Sequence, residues 1–333
     1  MDASPTTRNT AMTRPVLAIL GATGQQGRSL AHAALSDPRQ AFAVRALTRH
    51  PDSPAARELA DAGATPCAVD LDDAASLLRA FDGAQAVFAM TDFWSHGSAE
   101  REIAQAGRIA AAARSAGVAH VVWSTLEDTR EHVPLDDPRM PTLQGRFKVP
   151  HLDAKAEATR LFAAAGVPTT CLYLSFYWDN LIHFGLGPQR GADGELEFTL
   201  PMGRAALPGI AAQDIGPCAL ALFKDGPPAA MRHVGIAGEH LDVAQMAHAL
   251  GKALGEPVRP RTPEPADFAR LPFPGAAELA NMFQFKRDFE PVFRGRRDVQ
   301  ATRRLHPGVL GFDAWLARHA HRIAVPPRTP ARA

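Results

Sequence analysis

The first readable element of the chain is 16–20, an unbroken apolar run ending at a glycine, which is the pattern of a parallel strand buried on both faces. From Gln25 the spacing becomes helical and puts Leu30, Ala34 and Leu35 on one side, until Asp37-Pro38 interrupts it. Residues 42–47 then form a second strand. The alternation continues, with helices expected over 55–62, 98–116 and 152–165, and another capped by Asp72 or Asp73. Strands are expected at 65–69, 86–90, 120–123 and, after the turn at 166–168, 170–174. This order predicts an α/β protein: a Rossmann-type doubly wound parallel sheet of at least six strands with helices on both faces.

Beyond Tyr177 the segments become short and rich in glycine and proline, so the chain is expected to leave the sheet and cover its carboxyl edge, where a ligand cleft belongs. Segments near 214–216 and 231–236 read as a return to the main domain. The predicted organisation is a leader over 1–14, a nucleotide-binding domain over 15–176 with returns near 209–240, and a smaller, discontinuous α+β domain over 177–208 and 241–322. The leader and the tail from 323 to 333 are expected to be disordered.

Charge narrows the function classes. Lysine and arginine number 36 against 35 aspartates and glutamates, which gives no general attraction to nucleic acid or to an anionic membrane. No signal-like or membrane-length apolar run is present. Three scattered cysteines among small or apolar residues suggest reduced, mostly buried thiols, so a cytoplasmic location is expected. The thirteen histidines show no metal-ligand spacing, and no metal site is expected.

The chemistry begins at Gly21-Ala22-Thr23-Gly24-Gln25-Gln26-Gly27, a GxxGxxG run between a strand and a helix. Glycines there permit a tight turn and close approach of backbone to a pyrophosphate, and the helix start offers free N–H groups. The end of the second strand reads Leu47-Thr48-Arg49-His50, without the carboxylate that binds a ribose 2′-hydroxyl in NAD sites. The fork of Arg49 suits a 2′-phosphate instead, so NADP(H) is the expected cofactor. Asp52 is read as a helix cap.

The segments GATGQQG, LTRHP, VDLDD, VFAMTDFW, HLDAK, YWDN, LPMG and PGAAELANMF occur in the order seen in the NmrA-like branch of the atypical short-chain dehydrogenases, and the chain resembles that family from about 16 to 319. The last of these segments is similar to a subgroup described as NADPH-binding redox sensors. The resemblance implies that residues 21–27 hold the pyrophosphate and Arg49 the adenosine phosphate. It also implies that Thr91, Asp92 and Phe93 line the nicotinamide side with Gln105 nearby, that Lys155 contacts the nicotinamide ribose, and that Tyr177, Trp178, Asp179 and Asn180 close over the ring. Asp92 is commonly asparagine in that family, so here a charge is added beside the cofactor.

Active short-chain dehydrogenases place a tyrosine four residues before a lysine, so that the lysine eases proton transfer by the phenol. Here the spacing is His151-Leu-Asp-Ala-Lys155, and the only tyrosines, Tyr173 and Tyr177, lack it. His151 reads as a substitute proton donor, a polar residue near a helix start, or a substrate contact. Ser124 reads either as the serine that orients a substrate carbonyl or as a turn residue. Glu127, Asp128 and Glu131 read as a solvated acidic face. A full cofactor site with an incomplete catalytic pair makes a redox sensor acting on a protein partner, or as a homodimer, the first reading. A reductase of a small conjugated carbonyl or quinone, using Lys155, is the second.

Overall fold

The computed structural model describes residues 14–327; the expectations for the leader to 13 and for the tail from 328 lie outside them. Its first half alternates strictly: β1 (Val16–Leu20), α1 (Gln25–Leu35), β2 (Ala43–Thr48), α2 (Pro54–Asp61), β3 (Thr65–Ala68), α3 (Ala74–Phe81), β4 (Ala84–Ala89), α4 (Ala99–Ser115), β5 (His120–Thr125), α5 (Pro150–Ala165) and β6 (Thr169–Tyr173). Then come β7 (Phe176–Tyr177), α6 (Asn180–His183), β8 (Gln189–Arg190), β9 (Leu196–Thr199), β10 (Leu207–Ile210) and α7 (Ala212–Lys224). The rest is β11 (Arg232–Gly235), β12 (Glu239–Leu241), α8 (Val243–Leu254), β13 (Val258–Arg261), α9 (Pro265–Phe268), α10 (Ala276–Asp288), α11 (Glu290–Gly295), α12 (Val299–Leu305) and α13 (Phe312–His319).

The main sheet has seven parallel strands in the order β11-β6-β5-β4-β1-β2-β3, so the order reverses between β1 and β4. Two three-stranded sheets, β12-β10-β7 and β13-β9-β8, accompany the C-terminal helices. The period of two is visible inside the unbroken apolar run: Leu17 and Ile19 of β1 join the core under α1 and α7, whereas Ala18 and Leu20 join the core under α3, α4 and α5. A third core, around Phe176, Trp178, Phe198, Phe283, Phe312 and Trp315, lies beneath the C-terminal elements.

Caps mark where helices start. Asp73, not Asp72, caps α3 through the Ala75 amide, 2.8 Å away. Ser53 caps α2 through the Ala56 amide, a correction to the reading of Asp52, whose carbonyl instead accepts from Arg57. The acidic loop after β5 is also corrected. Glu127 and Asp128 are buried, and only Glu131 is exposed. Arg297, with 0% exposure, binds both oxygens of Glu127 at 2.6 and 3.0 Å and the Leu174 carbonyl at 2.9 and 2.8 Å. This fully bonded pair fastens the C-terminal helices to the ends of β5 and β6, and its burial is tolerable because every charge has a partner.

Candidate functional site

A cleft of about 370 Å³ opens at the carboxyl ends of β1, β2, β3 and β4, across the point where strand order reverses. Gly21, Thr23, Gly24, Arg49, Asp92 and Gln105 line it together with Asp70, Asp72, Met90, Ser95, His96 and Arg101. Six of the residues singled out from sequence therefore meet here.

The glycines divide by what they do. Gly21 has φ +63°, and an added Cβ would sit 2.6 Å from the Met90 sulfur; at Gly27 an added Cβ would overlap the Gly21 carbonyl. Both are required by the turn itself. Gly24 has φ −91° and ψ 177°, which any residue adopts, and its missing Cβ would meet only the Gly21 oxygen at 3.4 Å. It caps α1 without any side-chain hydrogen bond, so the free N–H groups around Gln25 and Gln26 remain open to an anion. Thr23 and Thr48 hydroxyls lie 3.3 Å apart across the floor. Arg49 is exposed and has no bonded partner among the described residues. Asp72, by contrast, is held by Arg101 at 2.6 Å and Gln105 at 3.1 Å, and the Arg101 guanidinium keeps its carboxyl below the usual range.

The α5 residues stand behind the β4 end of the cleft. Lys155 is buried and donates to the Thr91 carbonyl at 3.0 Å and hydroxyl at 2.9 Å, with Glu102 Oε1 at 2.7 Å and the Trp123 ring beneath it. All three of its donors are spent inside the chain. Glu102 is 0% exposed, and its second oxygen has no partner. Nothing in the local sequence flags Glu102, because a glutamate in the first turn of a helix is ordinary. Lys155→Met should leave this carboxylate buried and uncompensated, at a cost of about 3–5 kcal/mol in urea unfolding, whereas Lys155→Met with Glu102→Gln should recover most of that loss. Equal stability of the single variant and the unaltered chain would show that Glu102 does not depend on Lys155 for its charge balance.

His151 sits one turn before Lys155 on the same face. Its Nδ1 lies 2.7 Å from Glu278 Oε1, an atom that also accepts from the His151 backbone amide at 2.7 Å. The imidazole packs against Phe93 and Trp94, with ring centres 5.8 and 5.1 Å away. The start of α5 is further fixed by Asp153, which accepts from Thr129, Lys148 and Val149; burial pushes that carboxyl up. Sequence reasoning did not select Glu278, which is 127 positions from its partner.

The other sequence candidates lie elsewhere. Ala22 and Thr91 are buried, Phe93 packs under Trp94, and Ser124 is buried in β5. Trp178 is in the third core against Phe312 and Trp315, and Asp179 accepts from the Ala212 amide at the start of α7. Tyr177 and Asn180 are half-buried beside them. None of these four residues lines the cleft.

The strand order and the open helix terminus at its switch point define a Rossmann-type doubly wound protein. The chain belongs to the NmrA-like family, whose model matches residues 13–316. It is similar to the NmrA-like family domain-containing oxidoreductase ptmS of Penicillium ochrochloron, 27% identical over 92% of this chain and 98% of that protein. It is also similar to the oxidoreductase hkm9 of Aspergillus hancockii, 41% identical over 34% of each chain. Among solved structures, NmrA, a negative transcriptional regulator in complex with NADP, superposes with TM-score 0.74 at 23% identity over 92% of this chain and 95% of that one. The triphenylmethane reductase of Citrobacter sp. superposes with TM-score 0.70 at 17% identity, covering 92% and 99%.

Proposed function

We propose that the chain is an NADP(H)-dependent oxidoreductase that reduces a small conjugated carbonyl or quinone. The observation that carries the cofactor assignment is the open N-terminus of α1 beside an unpaired Arg49 at the switch point. The pyrophosphate fits the space that a Cβ on Gly24 would fill, and Arg49 fits a 2′-phosphate. Bound there, the cofactor supplies hydride; the chain supplies position and polarity. The names of the relatives, oxidoreductases over nearly the full length in one case, favour this reading over a sensor.

A cofactor sensor controlling a protein partner, or acting as a homodimer, is the second reading. It is favoured by Lys155, whose donors are occupied before any ligand arrives. For either reading we infer a cytoplasmic location: Cys171 and Cys218 are buried thiols, and no helix among the described residues is long and apolar enough to cross a membrane.

Arg49 provides the test of cofactor choice. NADP(H) should bind at least ~10-fold tighter than NAD(H), about 1.4 kcal/mol, and Arg49→Ala should erase most of that gap. Equal affinities for the unaltered chain in calorimetry would refute the assignment. NADPH oxidation with a panel of benzoquinones and enones separates the two readings: turnover supports the reductase, and its absence with tight binding supports the sensor.

A further inference from the structure

We infer that His151 and Glu278 form a proton-donating pair that takes the place of the missing tyrosine, with Glu278 as the positioning residue. The inference deepens the reductase reading and rests on it.

The geometry is specific. Glu278 Oε1 lies 2.7 Å from Nδ1 and accepts the backbone amide of the same residue, so the carboxylate fixes both where the imidazole stands and which nitrogen carries the proton facing it. Nε2 then points away from the pair. It has no bonded partner among the described residues and is not sealed from solvent. Phe93 and Trp94 flank the ring, and Trp94 is 45% exposed, a flat apolar wall beside a polar tip. That combination suits a planar conjugated carbonyl: the ring system stacks on Trp94 while its oxygen accepts from Nε2. His151 does not line the cleft itself but stands beside its β4 end: it precedes Lys155 by four residues on one helix face, Lys155 is bonded to Thr91, and the next residue, Asp92, lines the cleft.

In the proton step, the Nε2–H bond of the imidazolium breaks and an O–H bond forms on the substrate oxygen, leaving a neutral imidazole that keeps its proton on Nδ1 and donates it as a hydrogen bond to the Glu278 carboxylate. The hydride that completes the reduction is what the bound dinucleotide supplies, and solvent returns the proton to Nε2. The charged and titratable groups nearest His151 are Glu278 on α10, Asp153 and Lys155 on its own helix α5, and Glu102 on α4, which holds Lys155; the turn after β4 that brings Phe93 and Trp94 to the ring also carries Asp92 and His96.

The pair makes two separable predictions. In ¹⁵N-resolved NMR of the unaltered, cofactor-free chain at alkaline pH, the His151 proton should reside on Nδ1, and Glu278→Gln should weaken that preference. A neutral ring protonated on Nε2 in the unaltered chain would overturn the inference without any assay of activity. In turnover at saturating NADPH, His151→Asn should lower kcat ~10²–10⁴-fold with little change in NADPH affinity. Glu278→Gln should move the pH dependence of kcat while the chain remains folded. Turnover whose pH profile is the same in Glu278→Gln, or that survives His151→Asn, overturns the pair and leaves the reductase reading standing; failure of NADPH oxidation with every quinone and enone overturns both.

Discussion

Gly24→Val is expected to abolish NADPH binding while leaving a folded chain. The backbone at Gly24 is extended, and the only atom near the absent Cβ is the Gly21 oxygen at 3.4 Å, so a side chain fits the protein. It does not fit the ligand, because it occupies the space through which the open N–H groups of α1 reach a pyrophosphate. Losing two charge-assisted hydrogen bonds of ~1.5–3 kcal/mol each removes about 3–6 kcal/mol, or roughly 10²–10⁴ in affinity. The stability cost should stay near the ~1 kcal/mol of a weakened helix cap. Gly27→Ala is the contrasting variant, since its Cβ collides with the Gly21 carbonyl and should damage the fold itself. Calorimetry beside urea unfolding decides the matter. Normal NADPH binding by Gly24→Val would move the phosphate site away from this loop.

Lys286→Met should raise stability by about 5 kcal/mol near pH 6 and by little near pH 10. Lys286 lies buried on α10 between the rings of Phe283 and Phe293, 5.7 and 5.0 Å from its ammonium, with no bonded partner among the described residues. Burial, followed by the nearby Arg297 guanidinium, drives its pKa down to about 7. The unfolded chain holds this proton up to a pH near 10.5 and the folded chain only to about 7, so unfolding takes up a proton between those limits. Stability of the unaltered chain should therefore climb as pH rises from about 7 towards 10. Below 7 the full cost of a buried ammonium is present, and methionine removes it at similar volume. Flat pH dependence in the difference between the two proteins would show that Lys286 is solvated.

Much of the frame was legible in the residues themselves, and the particular elements show why. The run 16–20 could be read as a strand buried on both faces because β1 does feed two cores, and Ser98 marks the start of α4 because a serine cap is a local device. The glycine loop was equally legible: a turn that only glycine allows, followed at once by a helix, is written in consecutive positions. Arg49 followed from its place after β2, and it does line the cleft.

What could not be read there depends on partners that only folding supplies. Glu127 looked like part of a solvated acidic face, yet Arg297, 170 positions away, makes it the buried anchor of the C-terminal helices. His151 carried three open readings because its environment is set by Glu278, Phe93 and Trp94, which come from two other elements. Lys155 was recognisable as a helix lysine near a cleft, but whether its donors were free was decided by Glu102 and Thr91. The sequence by itself determined the strand and helix periods, the place where most helices start and the glycine turn before α1, because these depend on neighbours within a few residues; which of two adjacent residues caps a helix did not follow from it. The tertiary structure decided which charges are buried, which are paired and which nitrogen is left open, because in a low-dielectric interior a charge costs least where a distant segment brings its counterpart, as Arg297 does for Glu127 and no bonded partner among the described residues does for Lys286.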